Sequence, residues 1–223
     1  MTVLDHPAPR ALPSIGAHAM PAELPANRAA GWRPTARRSV LLIHDMQNYF
    51  LRPYPAGSSP LAELLANTVA VRETCAALGV PVVYTLQRGA ARPGERGLLN
   101  DFWGPGMSAD PADTSIPAAL APRPGDIQLT KLRYSALFGT DLLDRLHAAG
   151  RDQLIICGVY AHIGVLATAV DAFMNDIQAF VLGDGVADFS PGHHQMAMTH
   201  VAQRCGQVLT TAAAIAALRS SSL

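Results

Sequence analysis

The sequence predicts an α/β fold of three layers, in which a six-stranded parallel sheet is covered by helices on both faces. Short apolar segments alternate along the chain with segments of helical spacing, a pattern typical of parallel sheets with right-handed crossovers. The apolar segments are continuous, as expected of strands that are covered on both faces. A length of 223 residues, 49% of them hydrophobic, is enough for one large core.

The chain is predicted to begin with an extended arm, residues 1–38. This segment is rich in proline, alanine and arginine and has no steady period, so it favours neither a helix nor a strand. A single domain is predicted over residues 39–223. Its first strand is the apolar segment Ser39–His44, which ends at Asp45.

The later elements are predicted from the same two signals, continuous apolar runs and helical spacing. The helix at 60–78 has a proline in its first turn and Gly79 just past its end. Further helices are predicted at 139–149, from 164 to about 175, and at 191–204. The later strands are predicted at 81–86, 126–130, 153–157, 178–182 and 207–209. Residues 88–123 are irregular, and so long a connection is more often a functional loop than a filler.

Composition makes several classes of function improbable. The 17 basic residues balance 17 acidic ones, so the chain lacks the basic excess typical of proteins that bind nucleic acid or anionic membranes. Its three widely spaced cysteines indicate neither a disulfide framework nor a zinc site. No apolar run is long enough for a signal peptide or a membrane span, so a cytoplasmic location is expected. The low charged fraction of 15% favours oligomerisation.

Polar or turn-forming residues follow four of the predicted strands. Asp45, Gln87, Lys131 and the turn at 160–164 each come directly after an apolar run. Because the carboxyl ends of parallel strands meet at one edge, we expect a ligand site there. Asp45 can either cap its turn or, if partly removed from water, act as a general acid. Strand alternation predicts that only one of His44 and Asp45 faces the site.

Lys131 is the only lysine in a chain with sixteen arginines. Codon bias could leave one lysine anywhere, but its place at the end of a strand favours a role for a compact ammonium that arginine cannot fill. Arg96, near Phe102 and Trp103, is either a solvated charge or a clamp for a carboxylate. Aromatic side chains at the strand ends predict an apolar pocket wall. They are Tyr49, Phe50, Tyr134 and Tyr160.

Two other motifs do not predict sites. The glycine-rich segment 183–188 lacks the patterns of phosphate-binding loops. His193 and His194 are adjacent and cannot share one helix face, and the spacing offers no further ligands, so no metal site is predicted. Cys157 lies inside a strand and is interpreted as a small core residue.

Several of these segments resemble the isochorismatases. They are residues 40–50 (VLLIHDMQNYF), Gln87, 96–106 (RGLLNDFWGPG), Thr130 and Lys131, Tyr134 and Ser135, and 158–164 (GVYAHIG). The resemblance extends from about residue 15 to 212. It is greatest to the stand-alone phenazine-pathway branch, and not to the siderophore enzymes, which carry an additional aryl carrier domain. It implies a Rossmann-like, isochorismatase-like hydrolase fold without a carrier domain, and a homodimer.

The resemblance also implies a cofactor-free reaction on a chorismate-derived dicarboxylate. The enolpyruvyl vinyl ether of 2-amino-2-deoxyisochorismate would be hydrolysed to 2,3-dihydro-3-hydroxyanthranilate and pyruvate. Asp45 would protonate the methylene carbon, and water would capture the oxocarbenium ion. Lys131 and Arg96 would hold the substrate carboxylate, and Gln87 would orient it. The residues implied to line the pocket are Tyr49, Trp103, Tyr134, Tyr160 and Gly164.

Alternatives to this interpretation remain. Isochorismate as substrate would yield 2,3-dihydro-2,3-dihydroxybenzoate and pyruvate. Cysteine amidohydrolases of the same superfamily place a nucleophilic cysteine where this chain has Gly164, which disfavours their chemistry here. A catalytically inactive binding protein is the third possibility. Leu132 stands where relatives often have tryptophan, which bears on the pocket wall. Finally, Lys131 would lower the pKa of Asp45, whereas burial and the negative charge of the substrate would raise it.

Overall fold

The apolar segments form one six-stranded sheet in which each strand runs parallel to its neighbours. The computed structural model describes residues 12–92 and 94–221. The strands, β1 to β6, are Ser39–His44, Val82–Leu86, Ile127–Thr130, Gln153–Val159, Gln178–Ala187 and Gly206–Leu209. They lie in the order β3-β2-β1-β4-β5-β6, so β1 is central, between β2 and β4. The predicted parallel sheet is confirmed.

Helices cover both faces of this sheet. The helices, α1 to α8, are Asn48–Leu51, Leu61–Ala77, Leu99–Trp103, Pro111–Thr114, Leu142–Ala148, Leu166–Met174, Pro191–His200 and Thr211–Ser220. Leu41 of β1 belongs to the core beneath α2 and α8, and Leu42 belongs to the core beneath α5, α6 and α7. Successive strand side chains point to opposite faces, which is why β1 is apolar from Val40 to Ile43. The three-layer α/β fold is confirmed. None of the described helices is long and apolar enough to cross a bilayer.

The glycine-rich segment 183–188 lies largely within β5, which continues to Ala187, beyond the predicted end at residue 182. A Cβ atom on Gly183 would lie 2.4 Å from Cδ2 of Leu24. Glycine at this position therefore permits close packing of the N-terminal arm against the strand.

Two further predicted segments were wrong in part, and one helix was missed. The connection 88–123, predicted as irregular, contains α3, α4 and a 3₁₀ turn at Ala118–Leu120. The helix predicted at 191–204 is α7 followed by a π-helical turn at Val201–Cys205. The helix α8 was not predicted, because it is mostly alanine and lacks a clear apolar stripe. It is capped by the Thr210 hydroxyl, which accepts a hydrogen bond from the Ala213 N–H at 3.1 Å.

The described part of the arm, residues 12–38, contains no helix or strand. It is nevertheless attached to the domain at several points. Ile15 is buried, and its backbone N–H donates to the Pro53 carbonyl at 3.0 Å. Asn27 pairs with the backbone of Val208 through both its amide nitrogen and its amide oxygen. The division between arm and domain at residue 38 stays a prediction.

Candidate active site

A cavity opens at the carboxyl ends of the central strands. All nine site residues named from the sequence line it, namely Asp45, Tyr49, Gln87, Arg96, Trp103, Lys131, Tyr134, Tyr160 and Gly164. Leu12, Phe50, Leu99, Val159 and Ile163 complete the lining. Leu132 is not among these residues and lines a separate surface pocket with Arg88 and Phe138.

Asp45 lies at the bottom of this cavity, directly after β1, and is 4% exposed. Its φ angle is 51°, in the left-handed region that non-glycine residues seldom adopt. Its backbone N–H points to the Thr85 carbonyl at 3.2 Å. His44 is fully buried and does not line the cavity, although its Nδ1 atom is 3.8 Å from Oδ2 of Asp45.

The Asp45 carboxylate has three side-chain partners. Nζ of Lys131 lies 2.7 Å from Oδ2, and the Thr85 hydroxyl donates to Oδ1 at 2.7 Å. Nε2 of Gln87 is 3.5 Å from Oδ2. The pair of Asp45 and Lys131 is therefore buried and hydrogen-bonded, the condition under which an ion pair withstands desolvation.

The charge of Lys131 decides the protonation state of Asp45 in the free protein. Burial alone would raise the pKa of Asp45. The nearby charges of Lys131 and His44 and the hydrogen bonds from Lys131 and Thr85 act in the opposite direction, and together they lower this pKa below its ordinary value. Asp45 is therefore ionised at neutral pH while the cavity holds no substrate.

Lys131 is 1% exposed, and its Nζ atom also donates to the Arg133 carbonyl at 3.0 Å. An ammonium has three donors, and these two contacts use two of them. The third is left for a group in the cavity that Lys131 lines.

Arg96 supplies a second cation to the cavity. Its Nε atom donates to the Gly104 carbonyl at 2.9 Å, and its Nη1 atom donates to Oε1 of Gln87 at 3.4 Å. A Cβ atom on Gly106 would lie 2.5 Å from Nη1, so glycine makes room for the guanidinium. Among the residues that the structure describes, no carboxylate lies within ion-pair distance of Arg96. Its charge is thus available to an anionic ligand.

The aromatic residues form one wall of the cavity. Nε1 of Trp103 donates to the Tyr134 hydroxyl at 2.8 Å, which joins α3 to the loop after β3. The Tyr160 hydroxyl donates to the Phe50 carbonyl at 2.6 Å, so this tyrosine presents its ring and not a free hydroxyl. Phe189 packs on Tyr160 with ring centroids 4.5 Å apart.

The cysteines are remote from this chemistry. Cys75, Cys157 and Cys205 are unpaired and buried, and none of them lines the cavity. Burial raises the pKa of the Cys75 thiol and of the Cys157 thiol to about 12. Neither thiol is activated as a nucleophile requires.

The histidines of α7 have partners on other elements that the sequence spacing did not reveal. Nδ1 of His162 lies 2.5 Å from Oδ1 of Asp188, and His193 stacks on His162 with ring centroids 4.4 Å apart and planes at 16°. The possible ligand atoms of His162, Asp188 and His193 all lie within 4.8 Å of one another. The absence of a metal site at these histidines stays a prediction. His194 instead points to the interior and contacts the Gly183 carbonyl at 2.9 Å.

Residues of the site that were missed include Thr85, Gln47 and Leu12. Thr85 bonds Asp45 directly, and it is the one threonine in β2, whose other residues are aliphatic or aromatic, a signal that could have indicated it. Gln47 accepts from the Gln87 N–H at 2.7 Å and donates to the Gln87 carbonyl at 3.0 Å. Leu12 reaches the cavity from the arm, which no local pattern predicts.

Comparison with known proteins agrees with this geometry. Residues 39–213 match the family model described as the isochorismatase domain. The phenazine biosynthesis protein PhzD of Pseudomonas fluorescens is 55% identical over 90% of this chain and 96% of its own length. The isochorismatase of Bacillus subtilis (strain 168) is 51% identical over 90% of this chain and 65% of its own length. A solved isochorismatase-family structure from Burkholderia thailandensis superposes with a TM-score of 0.74 at 27% identity, over 84% of this chain and all of the other. The chain belongs to the isochorismatase family and is a hydrolase of that type.

Proposed function

We propose that the protein hydrolyses the vinyl ether of 2-amino-2-deoxyisochorismate and releases pyruvate and 2,3-dihydro-3-hydroxyanthranilate. One observation carries the proposal: a buried carboxyl, Asp45, shares a cavity with two cations, and one of them, Arg96, has no carboxylate partner among the described residues. Such a site suits a dicarboxylate whose reacting group needs a proton. The 55% identity to a phenazine biosynthesis protein supports the amino substrate.

The substrate itself would bring Asp45 into its acid form. Its carboxylates would bind the third donor of Lys131 and the guanidinium of Arg96. Negative charge placed beside Asp45 raises the pKa of this carboxyl, and it offsets the charge of Lys131. Protonation of Asp45 is thereby coupled to the arrival of the substrate.

The reaction then needs one proton and one water molecule. Asp45 transfers its proton to the methylene carbon, where a C–H bond forms, and the vinyl electrons leave a positive charge on the ether carbon and oxygen. Water adds to that carbon and loses a proton, which restores the acid form of Asp45 directly or through solvent. The resulting hemiketal collapses to pyruvate and the ring alcohol. The apolar wall of Trp103 and Tyr160 limits the access of other water.

A pyruvate assay on the two substrates tests the proposal. We expect release of pyruvate from both 2-amino-2-deoxyisochorismate and isochorismate, with the higher kcat/KM for the amino compound. Incubation of each compound without protein serves as the blank for nonenzymatic decay. If neither compound releases pyruvate at micromolar protein, ether hydrolysis is refuted and an inactive binding protein is favoured.

Isochorismate is the second candidate substrate. It is supported by the 51% identity to a protein named isochorismatase in Bacillus subtilis. Because the two substrates differ at one ring substituent, both fit the same assignment of Asp45, Lys131 and Arg96. A higher kcat/KM for isochorismate in the same assay would establish this alternative.

The proposal includes a homodimer that works in the cytoplasm without a cofactor. An apolar surface groove is lined by Phe138, Val170 and Met174, and the side chains of Phe138 and Met174 are exposed. The groove also contains a cation, Arg133, and an anion, Asp171, so a second copy related by a two-fold axis offers complementary charges.

The unpaired cysteines are consistent with a reducing compartment, which cell fractionation would test.

Light scattering after gel filtration tests the dimer. We expect a mass of twice the 23.5 kDa of one chain. Met174→Asp places a charge in the groove and should yield monomers. Met196→Asp, at another exposed methionine, is the matched control and should leave the mass unchanged. A monomeric wild-type protein at micromolar concentration contradicts the proposal.

A further inference from the structure

We infer that His44 is a positioning residue of this site, whose ring joins two pocket segments and fills the space that any side chain at position 164 would need. The part of this inference that concerns substrate binding rests on the proposed function. The part that concerns the packing of His44 against Gly164 does not.

The ring of His44 connects two segments that arrive from different strands. Nδ1 lies 3.0 Å from the carbonyl oxygen of Val159, at the end of β4. Nε2 lies 3.3 Å from the carbonyl oxygen of Tyr134, in the loop after β3. Both oxygens are acceptors, and burial lowers the pKa of His44 to about 4, so the neutral ring has one N–H and donates to one of the two carbonyls. Tyr134 and Val159 both line the cavity, and the His44 ring thus sets the distance between them.

The same ring stands against Gly164. A Cβ atom built on Gly164 would lie 2.2 Å from Cε1 of His44 and 3.0 Å from its Nε2 atom. The ring is fully buried between the Val159 and Tyr134 carbonyls and donates to one of them, so it cannot swing aside as the end of an exposed side chain would. Position 164 therefore accepts only glycine while residue 44 is histidine.

This contact explains why the cavity has no nucleophile at that point. Gly164 lies in the turn Ala161–Val165 that leads into α6, and the start of a helix favours a thiolate. A side chain at position 164 would begin against the His44 imidazole. The absence of a nucleophile at this position is thus maintained by a pair of residues, His44 and Gly164, and not by the glycine alone.

A double-mutant cycle tests the packing of this pair through the melting temperature of the full chain. We expect Gly164→Ala to lower Tm, because its methyl group meets the His44 ring. The double variant His44→Ala/Gly164→Ala should have a higher Tm than Gly164→Ala alone, because the methyl group then occupies vacated space. Gly31→Ala is the matched control, since a Cβ atom there meets nothing within 4 Å, and it should leave Tm unchanged.

The inference is overturned if Gly164→Ala has the same Tm as the wild type. It is also overturned if the Tm of the double variant is equal to or lower than that of Gly164→Ala. Should Gly164→Ala fail to fold at all, recovery of folded protein in the double variant supports the inference and its absence counts against it. None of these readouts needs a substrate, so they stand even if the proposed function fails.

The positioning role is tested by kinetics of pyruvate release. His44→Ala should raise KM by about tenfold. This is the weakening of substrate binding expected when one hydrogen bond no longer orders the Tyr134 segment. kcat should change less, because Asp45 and Lys131 stay in contact. His44→Gln places an amide donor near the position of Nε2, so its KM should be close to that of the wild type. An unchanged KM in His44→Ala, or a loss confined to kcat, would overturn the positioning role.

Discussion

Asp45→Asn should lower kcat for pyruvate release by about a thousandfold, within the range that general acid catalysis contributes. The amide has the size of the carboxyl but cannot deliver a proton to the methylene carbon. The pyruvate assay measures the loss at saturating substrate. Asp184→Asn is a suitable control, because Asp184 is a partly buried carboxylate that bonds Thr211 and lies outside the cavity lining. That control should keep nearly normal kcat.

The same substitution should lower the free energy of unfolding by about 3 kcal/mol, because it leaves the buried ammonium of Lys131 without its carboxylate. The pKa of Asp45 is lowered in the folded protein, so the ion pair stabilises the fold above the unfolded pKa of about 4 and loses this effect as pH falls through the folded pKa. Urea unfolding of both proteins at neutral and acid pH measures the difference. Loss of stability with kcat within about tenfold of wild type would mean that Asp45 is structural and not the general acid.

Lys131→Met should reduce kcat/KM by about a hundredfold, because one charge-assisted hydrogen bond to the substrate carboxylate is lost. It should also change the pH profile. Burial raises the pKa of Asp45, and Lys131 is the largest of the opposing influences, so this pKa rises when the ammonium is removed. In the wild type, the protonated fraction of Asp45 in the free enzyme falls as pH rises, and kcat/KM falls with it. In Lys131→Met the decline should begin at higher pH.

Lys131→Arg separates the charge from the shape of this residue. It keeps the cation beside Asp45, so the pH profile should stay close to that of the wild type. The rigid guanidinium fork has little room at a residue that is 1% exposed, so kcat/KM should still fall. Full activity of this variant, or identical pH profiles for wild type and Lys131→Met, would contradict the role assigned to the lysine.

The sheet and the position of the site could be predicted because each depends on local signals. A strand buried on both faces is largely apolar, as β1 is from Val40 to Ile43, and parallel strands bring their carboxyl ends together. Asp45, Gln87 and Lys131 could therefore be placed at one edge from their neighbours in sequence.

The parts that could not be predicted depend on distant packing. Leu12 reaches the cavity only because the arm is attached through Ile15, and His162 meets His193 only because α7 follows β5 back toward the turn after β4. The helix α8 escaped notice because alanine packs well without an evident stripe. Whether burial or Lys131 controls the pKa of Asp45 depends on a 2.7 Å contact that no spacing in the sequence reveals.

The strand order β3-β2-β1-β4-β5-β6 places β1 at a topological switch point. From there the chain progresses outward to β3 in one direction and, after returning, from β4 to β6 in the other. The loop that carries Arg96 and Trp103 consequently departs from one half of the sheet, and the turn that contains Gly164 departs from the other. Asp45 remains on the rigid strand between them. The cavity is thus assembled from two connections on opposite halves of the sheet, the loop at 88–123 and the turn at 160–164, around a carboxylate fixed to the central strand.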